Sequence, residues 1–363
     1  MEEQRTILLA DMNSFFASCH QSEDSQLRNK PVIVGGVLNR PTQGLVIAAS
    51  YEAKQRGVYT TMSVYEALKL CPDAIVVPRN HPLYSSYSSK IMSFLRLIGD
   101  TEVASIDEAY VDITARINEG ETALAIARYI QRTLWNKIRI PCSIGIGPNR
   151  IIAKMASEVK KPYGYVEMGI KKFCTFYYPQ PIDKLHGCGK KTAEKLNKMD
   201  IHTIGDLAKA NLLLMKNLLG SRGEMLVRSA NGISSSRINT EREKGDKTIG
   251  KESTFREAIS DPDAHLKLAE TLIEQLVKRL KAKSRKAKTI SIVYKKERNG
   301  SSFSKSFTLP KPTDSAEEMN EIVQKLYTEN LWEIPLFLFG VRLSNIEDVV
   351  YEQLTLDDFH KML

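Results

Sequence analysis

The feature that most constrains this chain is a pair of adjacent carboxylates set between apolar, strand-like segments in residues 105–112. Residues 102–106 alternate polar and apolar side chains and residues 110–113 resume the alternation, which predicts two strands joined near Asp107 and Glu108. A solvated hairpin turn would account for the pair, because most charged side chains face water. The alternative is a hard-cation site, since Mg²⁺ binds carboxylate oxygens and shares its remaining ligands with substrate phosphates. A third carboxylate would favour the cation site.

Asp11 is the candidate for that third carboxylate. It follows a short apolar run, residues 6–10, that predicts a strand, and residues 12–19 predict the opening of a helix. Residues 82–172 then predict helix, strand, strand, helix, strand and helix, with the last helix over residues 149–157. Together with the first strand, this order predicts a split β-α-β sheet in which Asp11 and the acidic pair can converge from neighbouring strands.

Bulk composition narrows the class of protein. The 363 residues exceed a single ordinary core, and a hydrophobic fraction of 42% favours a folded chain of several domains. The net charge of +9 indicates a mixed surface with a basic bias, which suits a polyanionic partner. Five scattered cysteines without a Cys-x-x-Cys pair argue against a disulfide framework or a zinc module. Because the start lacks a signal-peptide pattern and no run reaches the ~20 apolar residues of a membrane helix, we expect a cytoplasmic protein that does not enter a membrane.

A compact mixed segment spans residues 22–80. Within it, residues 30–36 and 45–49 predict two buried strands. Ser63 and Glu66 have the spacing of a capping box, which predicts that a helix begins there.

Residues 173–237 predict a helical segment that contains a glycine turn in front of a helix. Gly187 and Gly189 form the turn, and Lys190 and Lys191 follow it. A helix that opens on such a turn exposes backbone N–H groups and the positive end of its dipole, which suits a phosphate. An ordinary glycine turn between helices is the alternative, since Gly-x-Gly alone is weak evidence. The two lysines favour contact with a nucleic-acid backbone.

A polar, charged stretch at residues 238–247 predicts a linker. Beyond it, residues 248–350 predict strand, helix, strand, strand, helix and strand, which is a second ferredoxin-like unit. A dense basic run crosses residues 278–288. Such a run is often a solvated face, and the alternative is phosphate contact whose affinity falls as salt rises. The candidate DNA-binding side chains in this run are Lys283, Arg285, Lys286 and Lys288.

Four segments in a fixed order, residues 11–17, 49–54, 105–112 and 145–162, closely resemble motifs of the Y-family translesion DNA polymerases, and the bacterial DNA polymerase IV branch is the most similar. The resemblance implies an α+β multidomain fold shaped like a right hand, with a ferredoxin-like palm, small fingers, a helical thumb and a ferredoxin-like little finger. The implied boundaries are residues 1–21 and 81–172 for the palm, 22–80 for the fingers, 173–237 for the thumb with its helix-hairpin-helix, 238–247 for the linker, 248–350 for the little finger and 351–363 for the tail.

The resemblance also implies a reaction: template-directed addition of deoxynucleotides to a primer 3′-hydroxyl, by a polymerase of low fidelity that acts in translesion synthesis. Asp11, Asp107 and Glu108 match the catalytic, metal-binding carboxylates, and the Met12 carbonyl is a further implied ligand. Two Mg²⁺ ions would activate the primer hydroxyl, bridge the phosphates and stabilise the pyrophosphate leaving group. The chemistry implied for the protein is positioning and charge neutralisation.

Several residues match positions that hold the incoming deoxynucleoside triphosphate. Phe16 falls where an aromatic ring would clash with a ribose 2′-hydroxyl, and Phe15 is expected to pack beside the same sugar. An unplaced phenylalanine is more often part of a core, which is the alternative for Phe16. The residues that match the triphosphate-holding positions are Tyr51, Lys54 and Lys161.

The sequence departs from many relatives at two of these positions. Lys54 stands where they carry arginine, and Ala48 stands where they carry threonine. Lysine keeps the positive charge but loses the planar, bidentate geometry of a guanidinium. We therefore expect altered nucleotide affinity or fidelity.

The remaining implied contacts concern DNA and a protein partner. The turn at residues 187–191 matches the thumb helix-hairpin-helix, and the little finger would supply the basic surface that holds primer–template DNA. The tail resembles a sliding-clamp-binding peptide, and a frayed polar terminus is the alternative. The protein is expected to be a monomer. The implied clamp-binding residues are Gln353, Leu354, Leu356 and Phe359.

Two other functions are compatible with part of this pattern. A nucleotide cyclase on a palm-like sheet also uses paired carboxylates and two metal ions, but the chain has no Gly-Gly-Asp/Glu-Glu-Phe motif. A non-catalytic DNA-binding protein would explain the basic segments and would leave Asp11, Asp107 and Glu108 without a role. Product analysis with nucleoside triphosphate alone distinguishes the cyclase, and primer extension distinguishes the binding protein.

Overall fold

The computed structural model describes residues 5–36, 42–241 and 247–349. The chain forms two compact units, one that ends at residue 243 and one that begins at residue 244. Among the described helices, none is both long enough and apolar enough to cross a membrane.

The first unit begins with β1 (Ile7–Met12), α1 (Phe15–Glu23), β2 (Val32–Val34), β3 (Ala48–Ala49), α2 (Tyr51–Lys54), α3 (Val64–Leu70), β4 (Ile75–Val77), α4 (His81–Arg96), β5 (Asp100–Val103) and β6 (Glu108–Asp112). It continues with α5 (Thr114–Asn118), α6 (Ala123–Ile138), β7 (Cys142–Gly147), α7 (Arg150–Glu158), β8 (Tyr165–Glu167), α8 (Ile170–Tyr177), α9 (Lys190–Asn197), α10 (Ile204–Lys209), α11 (Leu212–Leu219) and α12 (Ser221–Ala230). The second unit comprises β9 (Thr248–Ile259), α13 (Pro262–Lys281), β10 (Arg285–Lys295), β11 (Phe303–Thr313), α14 (Ala316–Leu331) and β12 (Leu336–Asp348).

A five-stranded sheet forms the base of the first unit, with the strand order β5-β6-β1-β7-β8. β1 pairs antiparallel with both β6 and β7, and β8 runs parallel to β7. The helix and strand order predicted for residues 82–172 is confirmed, with the short helix α5 and the strand β8 in addition. Because β1 is central, the end of this strand and the start of β6 meet at one edge of the sheet.

The side chains of β1 alternate between two buried layers. One layer is the large core shared with α4 and α6, while Ile7 and Leu9 pack with Ala153 of α7 on the opposite face. Full burial of each such aliphatic side chain contributes about 1.5–3 kcal/mol. α7 can approach the sheet closely because β7 carries Gly145, where a Cβ atom would lie 1.9 Å from the carbonyl oxygen of Ala153. This close approach brings α7 over the central strand.

A smaller sheet, with the order β3-β2-β4, lies in the segment between α1 and α4. α3 begins as predicted, because Ser63 Oγ accepts a hydrogen bond from Glu66 N at 3.1 Å and the Glu66 carboxylate accepts one from Ser63 N at 3.3 Å. The predicted capping box is therefore confirmed.

The strand predicted over residues 45–49 is shorter than expected and is regular only at β3. The reason is a change of pairing partner within the run. The N–H of Val46 donates to the carbonyl of Met62, whereas the N–H of Ile47 donates to the carbonyl of Val34. Apolar composition predicted the burial of this run correctly, but it could not predict where the backbone changes partner.

Five helices, α8 to α12, follow the large sheet and share a separate apolar cluster that includes Phe173, Ile204 and Leu226. Side chains of α7 contribute to the same cluster. α7 therefore connects the sheet to the helical part of the unit.

The second unit is a four-stranded antiparallel sheet with the order β11-β10-β12-β9 and two helices, α13 and α14. Its predicted element order is confirmed. One face of the sheet packs in the apolar core with the helices. Other sheet positions pair hydroxyl groups, with 2.9 Å between the Oγ1 atoms of Thr289 and Thr308 and 2.8 Å between the Oγ atoms of Ser291 and Ser306.

Candidate active site

Asp11, near the end of the central strand β1, lies opposite Glu108, at the start of β6. They are direct partners in the antiparallel register of β1 and β6. Directly opposed residues place their Cβ atoms about 4.5–5.5 Å apart, and like charges in such pairs are destabilising. Asp11 is only 5% exposed. Two carboxylates this close, one of them buried, are stabilised by a neighbouring positive charge.

Two lysine ammonium groups supply positive charge to this pair. Lys154 Nζ donates to Asp11 Oδ2 at 2.9 Å and to Glu108 Oε1 at 2.7 Å. Lys161 Nζ donates to the same Asp11 oxygen at 2.8 Å. Glu158 Oε1 lies 3.1 Å from Lys154 Nζ and 2.8 Å from Lys161 Nζ. These side chains form one continuous ion network at the end of α7.

Burial and the two lysines set the charges in the network. Burial alone would raise the pKa of Asp11, but Lys154 and Lys161 outweigh it and hold that pKa below its ordinary value. Glu108 contacts one lysine only, so burial together with the neighbouring Asp11 charge raises its pKa. Burial alone would lower the pKa of Lys154, but Asp11 and Glu108 raise it. Asp11 is therefore a carboxylate and Lys154 an ammonium at neutral pH.

Asp107 lies in the connection between β5 and β6, and its carboxylate makes a local hydrogen bond. Its Oδ1 accepts a hydrogen bond from Ser105 Oγ at 2.6 Å, and its carbonyl accepts one from Met12 N at 2.9 Å. Within the described ranges, no group of three or more His, Cys, Asp or Glu side chains is arranged to hold a metal ion. The expected three-carboxylate site is only partly assembled, because a lysine stands between two of the carboxylates and Ser105 holds the third.

The available donor atoms nevertheless fit a hard divalent cation. Mg²⁺ takes oxygen ligands from carboxylates, carbonyls and water, and carboxylate oxygens of Asp11 and Glu108 already converge on a positively charged atom at 2.7–2.9 Å. That atom, Lys154 Nζ, stands where a cation would neutralise the same two charges. The donor chemistry therefore suits the metal that the sequence predicts.

A cavity of about 420 Å³ opens over the network, a volume within the range of small-molecule sites. Residues from β1, α1, α2 and the α7 region surround it, although they are far apart in the sequence. The predicted metal and nucleotide residues that line it are Asp11, Met12, Phe15, Phe16, Tyr51, Lys54, Asp107, Glu108 and Lys161.

The two adjacent phenylalanines have different environments. Phe15 is 3% exposed and belongs to the large core. Phe16 is half-buried at the cavity wall, where its ring stacks on Tyr84 with centroids 4.1 Å apart and planes inclined by 12°. Tyr84 is fully buried and so provides a fixed support. Phe16 thus presents a supported ring to the cavity, whereas Phe15 is mainly a core residue.

Lys54 and Tyr51 also line the cavity, and Lys54 adds a further basic group to it. Lys54 Nζ lies 4.8 Å from the centroid of the Tyr51 ring, within the range of a cation–π contact. Burial lowers the pKa of Lys54, and the positive charge of Lys161 lowers it further. A bound anion would relieve both effects. Ala48, the other position at which the sequence departs from relatives, lines the same cavity.

Sequence reasoning missed three residues of this site. Asn13 lines the cavity, donates from Nδ2 to Ser143 Oγ at 2.9 Å, and accepts from the Tyr163 N–H at 3.0 Å. Lys154 and Glu158 were also missed, although a signal existed. Lys154 is the only ionisable side chain within residues 151–157, a helical run that is buried throughout. A charge inside a buried helix needs a partner.

The predicted phosphate-binding turn lies beside the same ion network. Gly187 has a φ of 90°, which favours glycine, and its carbonyl accepts a hydrogen bond from Arg222 Nη2 at 2.8 Å. α9 then begins with the exposed Lys190 and Lys191. Gly187, Gly189 and Arg222 line a second cavity of about 420 Å³ together with side chains of α7. Arg222 is a basic group that the sequence pattern did not single out.

The basic run of the second unit is partly engaged in ion pairs. Arg285 Nε lies 2.7 Å from Asp348 Oδ1, and Lys286 Nζ lies 3.6 Å from Asp314 Oδ1. The Arg285 side chain is only 11% exposed, whereas that of Lys286 is 41% exposed. Exposed pairs contribute only about 0–1 kcal/mol, so a phosphate group can compete most easily for Lys286. Lys283 is exposed and Lys288 is half-buried. The predicted clamp-binding residues Gln353, Leu354, Leu356 and Phe359 lie outside the described residues.

Both units match known families. The model of the impB/mucB/samB family matches residues 10–158, and the model of the C-terminal domain of that family matches residues 246–356. The chain is 37% identical over 358 residues to DNA polymerase IV of Bacillus velezensis, covering 98% of this chain and 86% of the relative. It is 36% identical over 362 residues to DNA polymerase IV 1 of Bacillus subtilis, covering 99% and 87%.

A solved structure has the same architecture. A Y-family DNA polymerase chimera superposes with a TM-score of 0.83 at 25% sequence identity, and the match covers 95% of this chain and 100% of the chimera. The predicted α+β multidomain fold is confirmed by this match.

Proposed function

The chain belongs to the Y-family DNA polymerases, in the DNA polymerase IV group, and on that premise we propose how its own residues perform the reaction. It is a DNA-directed DNA polymerase of the translesion class. A nucleotide cyclase and a non-catalytic DNA-binding protein are not favoured, because the matches to polymerases extend over both units. DNA and nucleotides are its substrates. We further propose that its fidelity is low.

The domain boundaries proposed are those of a right hand with a little finger. They are supported by separate apolar clusters for the thumb and the little finger. A further cluster lies within the fingers, and the palm cluster also includes Leu27, Val32 and Val34 of the fingers. α7 contributes to both the palm and the thumb clusters. The proposed boundaries are residues 1–21 and 81–172 for the palm, 22–80 for the fingers, 173–237 for the thumb and 248–350 for the little finger.

Family membership indicates dependence on a divalent metal, and we propose Mg²⁺ with two ions in each active site. Asp11, Asp107 and Glu108 would hold the ions, with the Met12 carbonyl as a further ligand. When bound, the ions supply Lewis-acid stabilisation of the transferring phosphoryl group and favour ionisation of the primer hydroxyl. The hydrogen bond between Met12 N and the Asp107 carbonyl keeps the two acidic segments together.

The protein groups position the nucleotide by charge and shape. The cavity is lined both by the carboxylates of Asp11 and Glu108 and by the ammonium groups of Lys54 and Lys161. The ammonium groups would attract a triphosphate and the carboxylates a cation, so the reacting phosphate would be held where both kinds of group converge. The Tyr51 ring supports the ammonium group of Lys54 through a cation–π contact. This convergence of acidic and basic groups in one cavity is the observation that carries the proposal.

The sugar would be selected at Phe16, whose ring is fixed against Tyr84. A 2′-hydroxyl group would approach this ring, which has little freedom to move aside because its support is buried. Phe15 contributes by holding the start of α1 in the core. We therefore propose that Phe16 discriminates between deoxyribose and ribose.

Primer–template DNA would be held by the thumb and the little finger. Gly187 and Gly189 place backbone N–H groups at the start of α9, and Lys190 and Lys191 add positive charge. On the second unit we propose contact through Lys283, Arg285, Lys286 and Lys288. Both contacts are electrostatic, so binding should weaken as the salt concentration rises.

Three further statements are proposals that rest on the sequence. The tail, through Gln353, Leu354, Leu356 and Phe359, would bind a sliding clamp. The protein would be a monomer, and it would act in the cytoplasm.

Primer extension tests the proposed active site. Replacing Asp107 with alanine or Glu108 with glutamine should lower metal-dependent extension by at least ~10²-fold, because transition-state charge loses its metal support. Glu119→Gln is the matched control, since this exposed residue follows α5, does not line the cavity and should leave extension unchanged. Normal extension by the Asp107→Ala protein would overturn the assignment. A panel of damaged templates would show which lesions are bypassed.

A further inference from the structure

The ammonium group of Lys154 contacts the same carboxylate oxygen atoms that would bind the proposed metal ions. Its Nζ is 2.9 Å from Asp11 Oδ2 and 2.7 Å from Glu108 Oε1. The Lys154 side chain is 10% exposed and the Asp11 side chain 7%. An ammonium group in so shielded a position is held there by the two carboxylates, since burial itself opposes a charge.

An ammonium group and a divalent cation cannot use these oxygens in the same way at the same time. A Mg²⁺ ion binds carboxylate oxygens at about 2.0–2.1 Å. Two positive charges a few ångströms apart repel strongly where water screens them poorly. Binding of the cation to Asp11 and Glu108 must therefore weaken or break the contacts of Lys154.

Glu158 offers the ammonium group another carboxylate. It lies one helical turn beyond Lys154 on α7, with 3.1 Å between Lys154 Nζ and Glu158 Oε1. Glu158 is not part of the β1–β6 pair, and its side chain is 47% exposed. The contact between Lys154 and Glu158 can persist while Asp11 and Glu108 bind another cation.

We propose that Lys154 competes with the divalent cation for Asp11 and Glu108, and that it remains paired with Glu158 when the cation binds. Lys154 then holds the two acidic side chains together before the metal arrives and sets the metal concentration that the site needs. It is a positioning residue, because it acts through the metal ligands. The inference rests on the proposed function of the same site.

Lys154→Gln tests the competition without DNA or nucleotide. In the presence of a chelator, the variant should melt at a lower temperature than the wild type, because the buried carboxylates lose a counter-ion. Added Mg²⁺ or Ca²⁺ should recover more of the melting temperature than in the wild type, since ligands that bind the folded state stabilise it. The metal concentration at half-maximal recovery should fall by roughly tenfold, because a competing positive charge is gone.

Lys160→Gln is the matched control. This exposed lysine is close to Lys154 in the sequence and carries the same charge, so its removal should leave the metal midpoint within about twofold of the wild type.

Lys161→Gln replaces Lys154→Gln as the test variant if the Lys154→Gln protein does not fold. Lys161 contacts the same Asp11 oxygen and is more exposed, at 22%, so it should shift the midpoint in the same direction by less. Glu158→Gln should shift the midpoint in the opposite direction, because the displaced ammonium loses its alternative partner.

Two results would overturn the proposal. One is a Lys154→Gln protein with an unchanged metal midpoint and an equal loss of melting temperature with and without metal. That result would make the lysine merely structural. If the Lys154→Gln protein does not fold, the same result for Lys161→Gln would overturn the proposal. The other is a wild type whose melting does not respond to metal. Primer extension separates this inference from the proposed function, since extension that still requires metal would leave that function standing.

Discussion

At the scale of single residues, the site is organised by one oxygen atom. Asp11 Oδ2 accepts hydrogen bonds from both Lys154 and Lys161, which explains why the pKa of Asp11 is lowered while that of Glu108 is raised. Alternation around Asp107 predicted that acidic residues meet at a strand edge, and the β1–β6 register agrees. Lys154 could not be found in this way, because its partners become neighbours only after β1 and β6 pair beneath α7.

Asp107 shows the limit of sequence reasoning at one residue. The position of its backbone beside Met12 follows from the strand pairing. The direction of its carboxylate does not, because a local hydrogen bond from Ser105 Oγ, at 2.6 Å, competes for it. Patterns of residue type do not determine the outcome of such local competition.

Phe16 gives the prediction that belongs to this scale. Phe16→Ala should raise incorporation of ribonucleotides relative to deoxynucleotides by at least roughly tenfold, since removal of a blocking group is worth one or more kcal/mol of discrimination. The ratio of kcat/KM values for the two sugars in primer extension measures this effect.

Phe94→Ala is the control for loss of a partly buried aromatic pair, because Phe94 packs on Tyr129 with centroids 6.1 Å apart and does not line the cavity. It should leave sugar selectivity unchanged. A Phe16→Ala protein that folds normally and keeps the wild-type ratio would remove Phe16 from this role.

At the scale of elements, α7 is the part on which the site depends most. It packs against β1 and β7, contributes to the apolar clusters of both palm and thumb, and carries Lys154 and Glu158. Sequence periodicity predicted this helix over residues 149–157, and the observed helix is Arg150–Glu158. Asn149 is its N-cap, because the Asn149 side chain accepts a hydrogen bond from Ile152 N at 3.1 Å. It did not predict how closely the helix approaches the sheet, which depends on a glycine in another element.

Gly145→Ala should disturb this approach. A Cβ atom at residue 145 would lie 1.9 Å from Ala153 O and 2.3 Å from Ser157 N, and both are backbone atoms that cannot rotate away. We expect a loss of about 1–3 kcal/mol in the free energy of unfolding, measured by denaturant titration, and slower extension because α7 carries part of the ion network.

Gly169→Ala is the matched control, because no atom lies within 4 Å of the added Cβ and its φ is −86°. Its cost should stay below about 1 kcal/mol, the usual effect of alanine at a helix N-cap. If the two alanine variants were equally stable, close packing of α7 on β7 would not be what positions the network.

At the scale of the whole molecule, the chain combines two units with separate apolar cores. The order of elements in the second unit was predictable, as was most of the order over residues 82–172, because hydrophobic periodicity and turn residues are local. The strand order β11-β10-β12-β9 was not, since adjacency in a sheet depends on pairings between distant segments. The described residues that line the cavity over the ion network all lie in the first unit. We therefore propose that the second unit contributes to DNA binding rather than to the reacting atoms.

Removal of the second unit tests this division of roles. A fragment of residues 1–243 should keep metal-dependent extension at high DNA concentration, because the ion network and the cavity belong to it. Its affinity for primer–template DNA should fall, and the dependence of that affinity on salt should become shallower by about 0.9 logarithmic units for each phosphate that the fragment no longer neutralises. DNA binding measured at several salt concentrations gives both quantities. Lys283→Gln and Lys288→Gln in the full chain should reproduce a small part of the change in slope. A folded fragment with no extension at any DNA concentration would show instead that the second unit takes part in assembling the active site.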